Sequence, residues 1–192
     1  MVKQDKIGRR KKSFPKNTQE LTLAAAWKFS EENKPVLIYC TERHSVESYA
    51  KLIVDVVKRG FLPPLIHDIR LIQRALEIGN EWLGQDHPVI ECLKHGIAIH
   101  HARLPNPFLR EVENLLAEGI LKITVASPTL AQGLNLKAAI LLVPSLFRAG
   151  KLIEPEEFAN VAGRAGRAYV DLEGNIIRVL YNPEDQGDQK LE

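Results

Sequence analysis

The sequence is poor in cysteine and has no long hydrophobic run. Cys40 and Cys92 are its only cysteines and do not form a C-x-x-C pair, so neither a disulfide framework nor a cysteine zinc site is indicated. No apolar run reaches the roughly 18–20 residues that a membrane span requires. The opening residues also lack the hydrophobic region of a signal peptide. We therefore expect a soluble domain of the reducing cytoplasm, with no membrane partner.

The chain also lacks a strong excess of charge of either sign. Its net charge is +2 over 192 residues, so the overall charge does not indicate a nucleic-acid-binding protein. The two ends differ, however, because residues 1–16 are rich in lysine and arginine whereas residues 184–192 lean acidic. We predict two mobile tails around a domain that spans residues 17–183. A nucleic-acid-binding arm is the alternative for the basic tail.

Short apolar segments alternate with amphipathic ones along the rest of the chain. The apolar segments read VLIYC, GIAIHH, KITVAS, AILLV and NIIRVLY, and helical patterns separate most of them. A hydrophobic content of 45% over this length is enough for one domain with a sizeable core. The pattern predicts an α/β fold in three layers, with a mostly parallel sheet flanked by helices on both faces.

Local signals place several helices and one hairpin. Asn17 followed by Glu20 predicts a capped helix start, and Pro155 suits the first position of another helix. A hairpin is expected around Ala149 and Gly150. The predicted buried stripes are Val46, Tyr49, Ala50, Ile53 and Val57 in a helix over 43–58, Leu65, Ile69, Ile72 and Leu76 in the next, and Phe108, Val112, Leu115 and Leu116 in a helix after Leu104.

Residues 157–170, EFANVAGRAGRAYV, form the most informative segment of the chain. Asn160, Arg164 and Arg167 are spaced i, i+4 and i+7, which places them on one face of a helix. Gly163 and Gly166 would let another backbone approach closely, although each costs about 1 kcal/mol of helix stability relative to alanine. This arrangement favours a helix that presents guanidinium groups to an anion. The alternative is that the arginines only complement the dipole at the end of the helix.

Three segments in order resemble the motifs of superfamily 2 helicases of the DEAD/DEAH-box kind, nearest the Ski-type DExH group. NVAGRAGR resembles motif VI, Q-x-x-G-R-x-G-R; residues 121–138, LKITVASPTLAQGLNLKA, resemble motif V; and residues 36–47, VLIYCTERHSVE, resemble motif IV. GIAIHHARL resembles the G-I-x-x-H-H-A-G-L segment of the same family. The resemblance covers about residues 34–181 and implies the C-terminal, second RecA-like domain of such a helicase.

The resemblance implies a nucleotide-facing set of residues. Arg164 and Arg167 match the arginine fingers that reach the γ-phosphate of ATP, which the first domain holds with Mg. Asn160 stands where the family usually has Gln, and Gly163 is the first motif glycine. Gly133 and Asn135 match the part of motif V that faces the nucleotide and the domain interface.

A second set of residues is implied to bind nucleic acid. The strand KITVA ends at Ser127, a good N-cap residue, and Pro128 suits the first helical position, so the pattern itself predicts a helix N-terminus at the end of a strand. In the family, residues matching Ser127 and Thr129 contact the nucleic-acid backbone. The resemblance adds Thr41, Arg43, His101 and Arg103 as contacts to a single strand of DNA or RNA.

His100 and His101 do not indicate a metal site, because neighbouring strand residues point to opposite faces of a sheet. We expect one of them to be packed and the other to lie near the nucleic-acid path. Arg103 stands where the family has glycine. It either contacts a phosphate or blocks a close backbone approach.

Two motifs that ATP hydrolysis requires are absent from the sequence. There is no G-x-x-x-x-G-K-[ST] and no DExH or DEAD tetrad, so we expect this chain to be inactive alone and to complete a motor with a first RecA-like domain. The predicted function is the second domain of an ATP-dependent helicase or translocase. The alternative is a non-catalytic nucleic-acid-binding or scaffold protein of the same fold. A dinucleotide-binding enzyme is disfavoured, because no G-x-G-x-x-G follows a strand.

Overall fold

A computed structural model describes residues 14–127, 138–163 and 175–181 of the chain. Its strands are β1 (Val36–Tyr39), β2 (Ile97–His100), β3 (Ile123–Ala126), β4 (Ile140–Val143), β5 (Phe147–Arg148), β6 (Lys151–Leu152) and β7 (Asn175–Arg178). Five of them form one sheet in the order β2-β3-β1-β4-β7, and every neighbouring pair is parallel. Strands β5 and β6 form a separate antiparallel hairpin.

Six α-helices and one short 3-10 helix surround the sheet in the part of the chain that is described. They are α1 (Thr18–Glu31), α2 (Arg43–Lys58), the 3-10 helix Ile69–Ile72, α3 (Gln73–Leu83), α4 (Pro88–Lys94), α5 (Asn106–Ala117) and α6 (Pro155–Ala162). The predicted α/β fold, a parallel sheet flanked by helices, is confirmed.

The central strands are buried on both faces, which is why their sequences are continuous apolar runs. Every residue of β1, β2, β3 and β4 is buried. In β1, Val36 and Ile38 point into the larger apolar cluster, whereas Leu37 and Tyr39 point into a smaller cluster on the opposite face. The smaller cluster includes Val161, so helix α6 packs on that face of the sheet.

Most of the local sequence signals hold in the structure. Asn17 caps α1 by accepting a hydrogen bond from Glu20 N at 2.8 Å, although the Glu20 carboxylate accepts from Lys16 N instead of closing the expected reciprocal pair. Pro155 is the first residue of α6. The hairpin turns at Ala149 and Gly150, whose φ angles of 48° and 78° are both positive, as a tight hairpin turn requires.

The predicted buried stripes of α2 and α5 are each shifted by one or more positions. Val56 rather than Val57 is buried in α2, and Leu109 is buried in α5 where Leu116 is only partly buried. These shifts arise because the helices pack at an angle that a fixed stripe does not anticipate.

The predicted helix through Leu65, Ile69, Ile72 and Leu76 is also wrong at its start. The Asp68 side chain accepts a hydrogen bond from Arg70 N at 3.0 Å and starts only a 3-10 turn, after which α3 begins. Leu65 N donates to the carbonyl of His95 at 3.0 Å, so this residue is tied to the end of α4. Ile69 is 51% exposed.

No helix within the described ranges is both long enough and apolar enough to cross a membrane. The predicted tails lie largely outside these ranges, since residues 1–13 and 182–192 are not described.

Candidate functional site

The carboxyl ends of three neighbouring strands meet at one edge of the sheet. Tyr39 of β1 and His100 of β2 both pair in register with Ala126 of β3. Beyond these ends, Cys40 N donates to the Ala126 carbonyl at 2.8 Å and Ser127 N donates to the His100 carbonyl at 3.3 Å. The carboxyl ends of the three strands therefore lie side by side, at the edge where ligands of parallel α/β sheets commonly bind.

A groove of about 360 Å³ opens beside this edge, between the start of α2 and the segment that follows β2. Its polar lining consists of Arg43, Glu47, Lys51, His87, His101 and Arg103, and part of its floor is apolar. Three permanent cations face a single carboxylate in that lining, so the groove carries a net positive charge with both histidines neutral. Such a concave cationic surface attracts anions.

Arg43 is the first residue of α2, and its guanidinium lies at a helix N-terminus. The first turn of α2 contains no acidic residue, although its N-cap residue is Glu42. The preceding Glu42 turns its carboxylate away toward the hairpin, where Oε1 accepts a hydrogen bond from Ala149 N at 2.9 Å. Its other oxygen lies 2.9 Å from Nδ1 of His44.

The ring of His101 is oriented by the backbone of the segment that follows it. Nδ1 of His101 accepts a hydrogen bond from Arg103 N at 3.3 Å, so the neutral ring carries its proton on Nε2 and can donate from there. Burial lowers the pKa of His101, and the Arg43 cation adds to this while Glu47 opposes it. The ring is therefore a neutral hydrogen-bond donor at neutral pH. Arg103 itself is exposed and lines the groove.

His100 has different surroundings from its neighbour. Its Nε2 lies 3.3 Å from Oε1 of Glu113 on α5. Burial lowers the pKa of His100, while Glu113 acts in the opposite direction. Among the described residues, no group of three or more His, Cys, Asp or Glu side chains is arranged to hold a metal ion.

The structure separates two of the predicted contacts from the groove. Thr41 is buried, and its hydroxyl donates to the Phe147 carbonyl at 2.7 Å. Ser127 is buried at the end of β3 and is not among the groove residues. Of the predicted nucleic-acid contacts, the groove thus brings together Arg43, His101 and Arg103.

Part of the predicted nucleotide-facing set is also described. Asn160 and Gly163 are exposed near the carboxyl end of α6. Arg164, Arg167, Gly133, Asn135 and Thr129 lie outside the described residues.

Sequence reasoning missed two features of this region. Lys51 follows Arg43 and Glu47 at helical spacing, so the i, i+4, i+8 pattern in α2 could have assigned it to the groove. The second feature is a hydrogen-bonded cluster of Tyr39, Arg148 and Glu157, which had no sequence signal because Tyr39 lies more than a hundred residues before the other two.

Glu157 is the centre of that cluster. Its carboxylate accepts a hydrogen bond from the Tyr39 hydroxyl at 2.6 Å and forms a two-pronged ion pair with the Arg148 guanidinium. Burial pushes the pKa of Glu157 upward, but the hydrogen bonds from Arg148 and Tyr39 outweigh it and lower the pKa overall. Burial and the Glu157 carboxylate together raise the pKa of Tyr39.

Several curated proteins are similar to this chain over most of its length. The Hachiman protein HamB of Bacillus cereus is 29% identical over 186 residues, which cover 91% of this chain and 16% of that protein. The ATP-dependent DNA helicase Hel308 of Methanocella arvoryzae is 28% identical over 82% of the chain and 22% of its own length. Hel308 of Thermoplasma volcanium is 31% identical over 79% of the chain and 21% of its own length.

The chain therefore spans about a fifth of these relatives, and the similarity supports a helicase-family domain. No protein-family model matches it.

Proposed function

We propose that this helicase-family domain is the second RecA-like domain of an ATP-dependent helicase or translocase, nearest the Ski-type DExH group. In this proposal it holds a single strand of DNA or RNA by its phosphates and supplies arginines to ATP bound by a first domain. The observation that carries the proposal is the cationic groove at the carboxyl edge of the sheet, which contains Arg43, His101 and Arg103.

The groove has the chemistry that a phosphate backbone requires. Each guanidinium of Arg43 and Arg103 can donate two parallel hydrogen bonds to one phosphate. Nε2 of His101 adds a neutral donor, and the N-terminus of α2 adds a favourable dipole. None of these groups reads the edge of a base, so the expected binding is independent of sequence.

The nucleotide is proposed to bind at the segment that follows α6 in the sequence. Arg164 and Arg167 would stabilise charge on the transferring γ-phosphoryl, a role that contributes on the order of 10³–10⁵ in rate in phosphoryl-transfer systems. Asn160, Gly163, Gly133 and Asn135 would line the same cleft. In this proposal the first domain would mainly hold the Mg that accompanies ATP, and this ion would supply neutralisation of phosphate charge.

Closing of the cleft around ATP and opening after hydrolysis would move the groove along the strand. Two of the relatives are named ATP-dependent DNA helicases, which supports DNA as the first substrate to test.

The test of the proposal uses the complete two-domain motor. We expect Arg164→Ala and Arg167→Ala each to leave ATP binding within about twofold and to lower turnover by about 10³. ATP binding is measured with a fluorescent nucleotide, and turnover by phosphate release in the presence of single-stranded DNA. Lys28→Ala, at an exposed position of α1, is the control. Unchanged hydrolysis in both arginine variants contradicts the finger assignment.

A further inference from the structure

The β5–β6 hairpin is hydrogen-bonded on one side to the loop that precedes α2. The Thr41 hydroxyl donates to the Phe147 carbonyl at 2.7 Å, and Ala149 N donates to Glu42 Oε1 at 2.9 Å. Nε of Arg148 also donates to the Thr41 carbonyl at 2.9 Å. This loop ends at Arg43, the first residue of α2 and a member of the cationic groove.

On its other side the hairpin is joined to helix α6 through the same arginine. Nη1 of Arg148 donates to Glu157 Oε2 at 2.9 Å, and Nη2 donates to Glu157 Oε1. The Tyr39 hydroxyl at the end of β1 donates to the same carboxylate at 2.6 Å. Glu157 lies in the first turn of α6, whose last turn carries Asn160 and whose C-cap is Gly163.

All three nitrogens of one guanidinium are therefore engaged, Nε with the loop before α2 and the two Nη atoms with α6. The group is planar and rigid, so a displacement of the Thr41 carbonyl at one edge changes the hydrogen-bond geometry at Glu157 on the other. A lysine at this position would keep the charge but could not hold both partners in one plane. The contact is thus specific to arginine rather than to a positive charge.

We infer that Arg148 is a positioning residue that couples strand binding in the cationic groove to the nucleotide-facing end of α6. The inference rests on the proposed function, since it assigns the strand to Arg43 and the nucleotide to the segment that α6 leads into. Binding of a strand shifts the loop before α2, and Arg148 transmits the shift to Glu157. The coupling is reciprocal, so nucleotide binding changes strand affinity by the same route.

The inference predicts a change in coupling that a simple loss of stability would not produce. Coupling is measured in the complete two-domain motor as the ratio of the dissociation constants for a labelled single-stranded oligonucleotide without and with a non-hydrolysable ATP analogue. We expect Arg148→Lys to move this ratio at least about fivefold closer to one. The dissociation constant without nucleotide is expected to stay within about twofold of the parent value.

Three further single variants and one double variant separate coupling from a structural role. Glu157→Gln keeps the shape of the side chain and is expected to lose coupling to the same extent, with no additional loss in the Arg148→Lys, Glu157→Gln double variant. Tyr39→Phe removes one hydrogen bond to Glu157 but keeps the buried ring, so it serves if the arginine variant does not fold. Ser145→Ala removes the hydrogen bond to Phe147 N within the hairpin region and is expected to keep full coupling.

The outcomes distinguish the two proposals. If the parent protein shows no nucleotide-dependent change in strand affinity, the proposed function fails. If the parent shows the change and both Arg148→Lys and Tyr39→Phe retain it, the coupling role of Arg148 is overturned while the proposed function stands. Equal loss of coupling in Ser145→Ala would also overturn it, because the effect would then follow from the hairpin and not from the guanidinium.

Discussion

Glu47 lies one helical turn after Arg43 in α2, and its Oε1 accepts a hydrogen bond from Arg43 Nη1 at 3.1 Å. The two side chains are 39% and 43% exposed and both line the cationic groove. An exposed pair of this kind contributes only about 0–1 kcal/mol, so a phosphate can replace the carboxylate at little cost. If the groove binds a strand as proposed, Glu47 would compete with that strand for Arg43.

This competition predicts opposite effects of two substitutions on strand affinity. We expect Glu47→Gln to tighten the binding of a single-stranded oligonucleotide by about two- to fivefold, because it removes a negative charge from the groove. Arg43→Gln should weaken binding and reduce the slope of log affinity against log salt concentration by about 0.7, the value for one lost phosphate contact on a single strand. Fluorescence anisotropy at several salt concentrations measures both.

The matched control is Glu31→Gln. Glu31 also forms an exposed ion pair, with Lys28, but on α1 and outside the groove. Its substitution is expected to leave affinity unchanged apart from a small effect of net charge. An identical gain in affinity from Glu31→Gln and Glu47→Gln would contradict the local competition.

Thr41 is predicted to stabilise the fold through its hydrogen bond to the hairpin. Thr41→Val keeps the shape of the buried side chain but leaves the Phe147 carbonyl without its 2.7 Å hydrogen bond. We expect the free energy of unfolding to fall by about 1 kcal/mol in urea denaturation. Ser48→Ala is the control, since its hydroxyl makes an exposed bond within α2 and its loss should cost much less. Equal costs would mean that the hairpin contact contributes nothing.

The free energy of unfolding is predicted to decrease as pH is lowered into the range where the histidines titrate. Burial lowers the pKa of His95, His100 and His101 in the folded chain, whereas the unfolded chain keeps the ordinary value of about 6.5. Between these values the unfolded state binds more protons, so the free energy of unfolding decreases as pH falls through about 6.5 and becomes nearly constant only about one pH unit above it. Urea denaturation at pH 7.5, 6.5 and 5.5 measures the decrease.

A variant with His95→Asn and His100→Asn should show a shallower pH dependence over that window. The lowered pKa of Glu157 does not produce the same signal, because its contribution is present above the ordinary carboxyl pKa and is lost only as pH falls through the depressed value. Constant stability from pH 7.5 to 5.5 would contradict the role of the buried histidines.

Gly79 in α3 is predicted to resist substitution despite its position inside a helix. A Cβ atom there would lie 2.4 Å from Ile90 Cδ1 and 2.9 Å from Phe108 Cε2 in the packed core. We expect Gly79→Ala to lower the free energy of unfolding by about 1–2 kcal/mol, because overpacking outweighs the gain in helix propensity. Glu77→Ala, at an exposed position of the same helix, is the control. A stabilised Gly79→Ala variant would show that the core relaxes around the added methyl group.

The sequence predicted most of the strands and helices, and it predicted part of the candidate site. The strand VLIYC and the helix over 43–58 follow from their apolar patterns alone, because burial of a strand on both faces and of one helix stripe are local demands. Arg43, His101 and Arg103 were assigned by motif resemblance, and the groove brings them together. The buried stripe of α2 shifted from Val57 to Val56, since a helix rotates to fit its neighbours.

Only the tertiary structure showed how the hairpin is joined to the loop before α2 and to helix α6. Tyr39 and Glu157 are 118 residues apart, and Arg148 is 107 residues from the Thr41 carbonyl that it contacts. It also turned Thr41 toward the hairpin, although the motif resemblance predicted that Thr41 contacts nucleic acid. Sequence patterns record periodicities within one element, whereas these contacts depend on the order in which parallel strands pair. That order places the end of β1 beside segments that lie more than a hundred residues away.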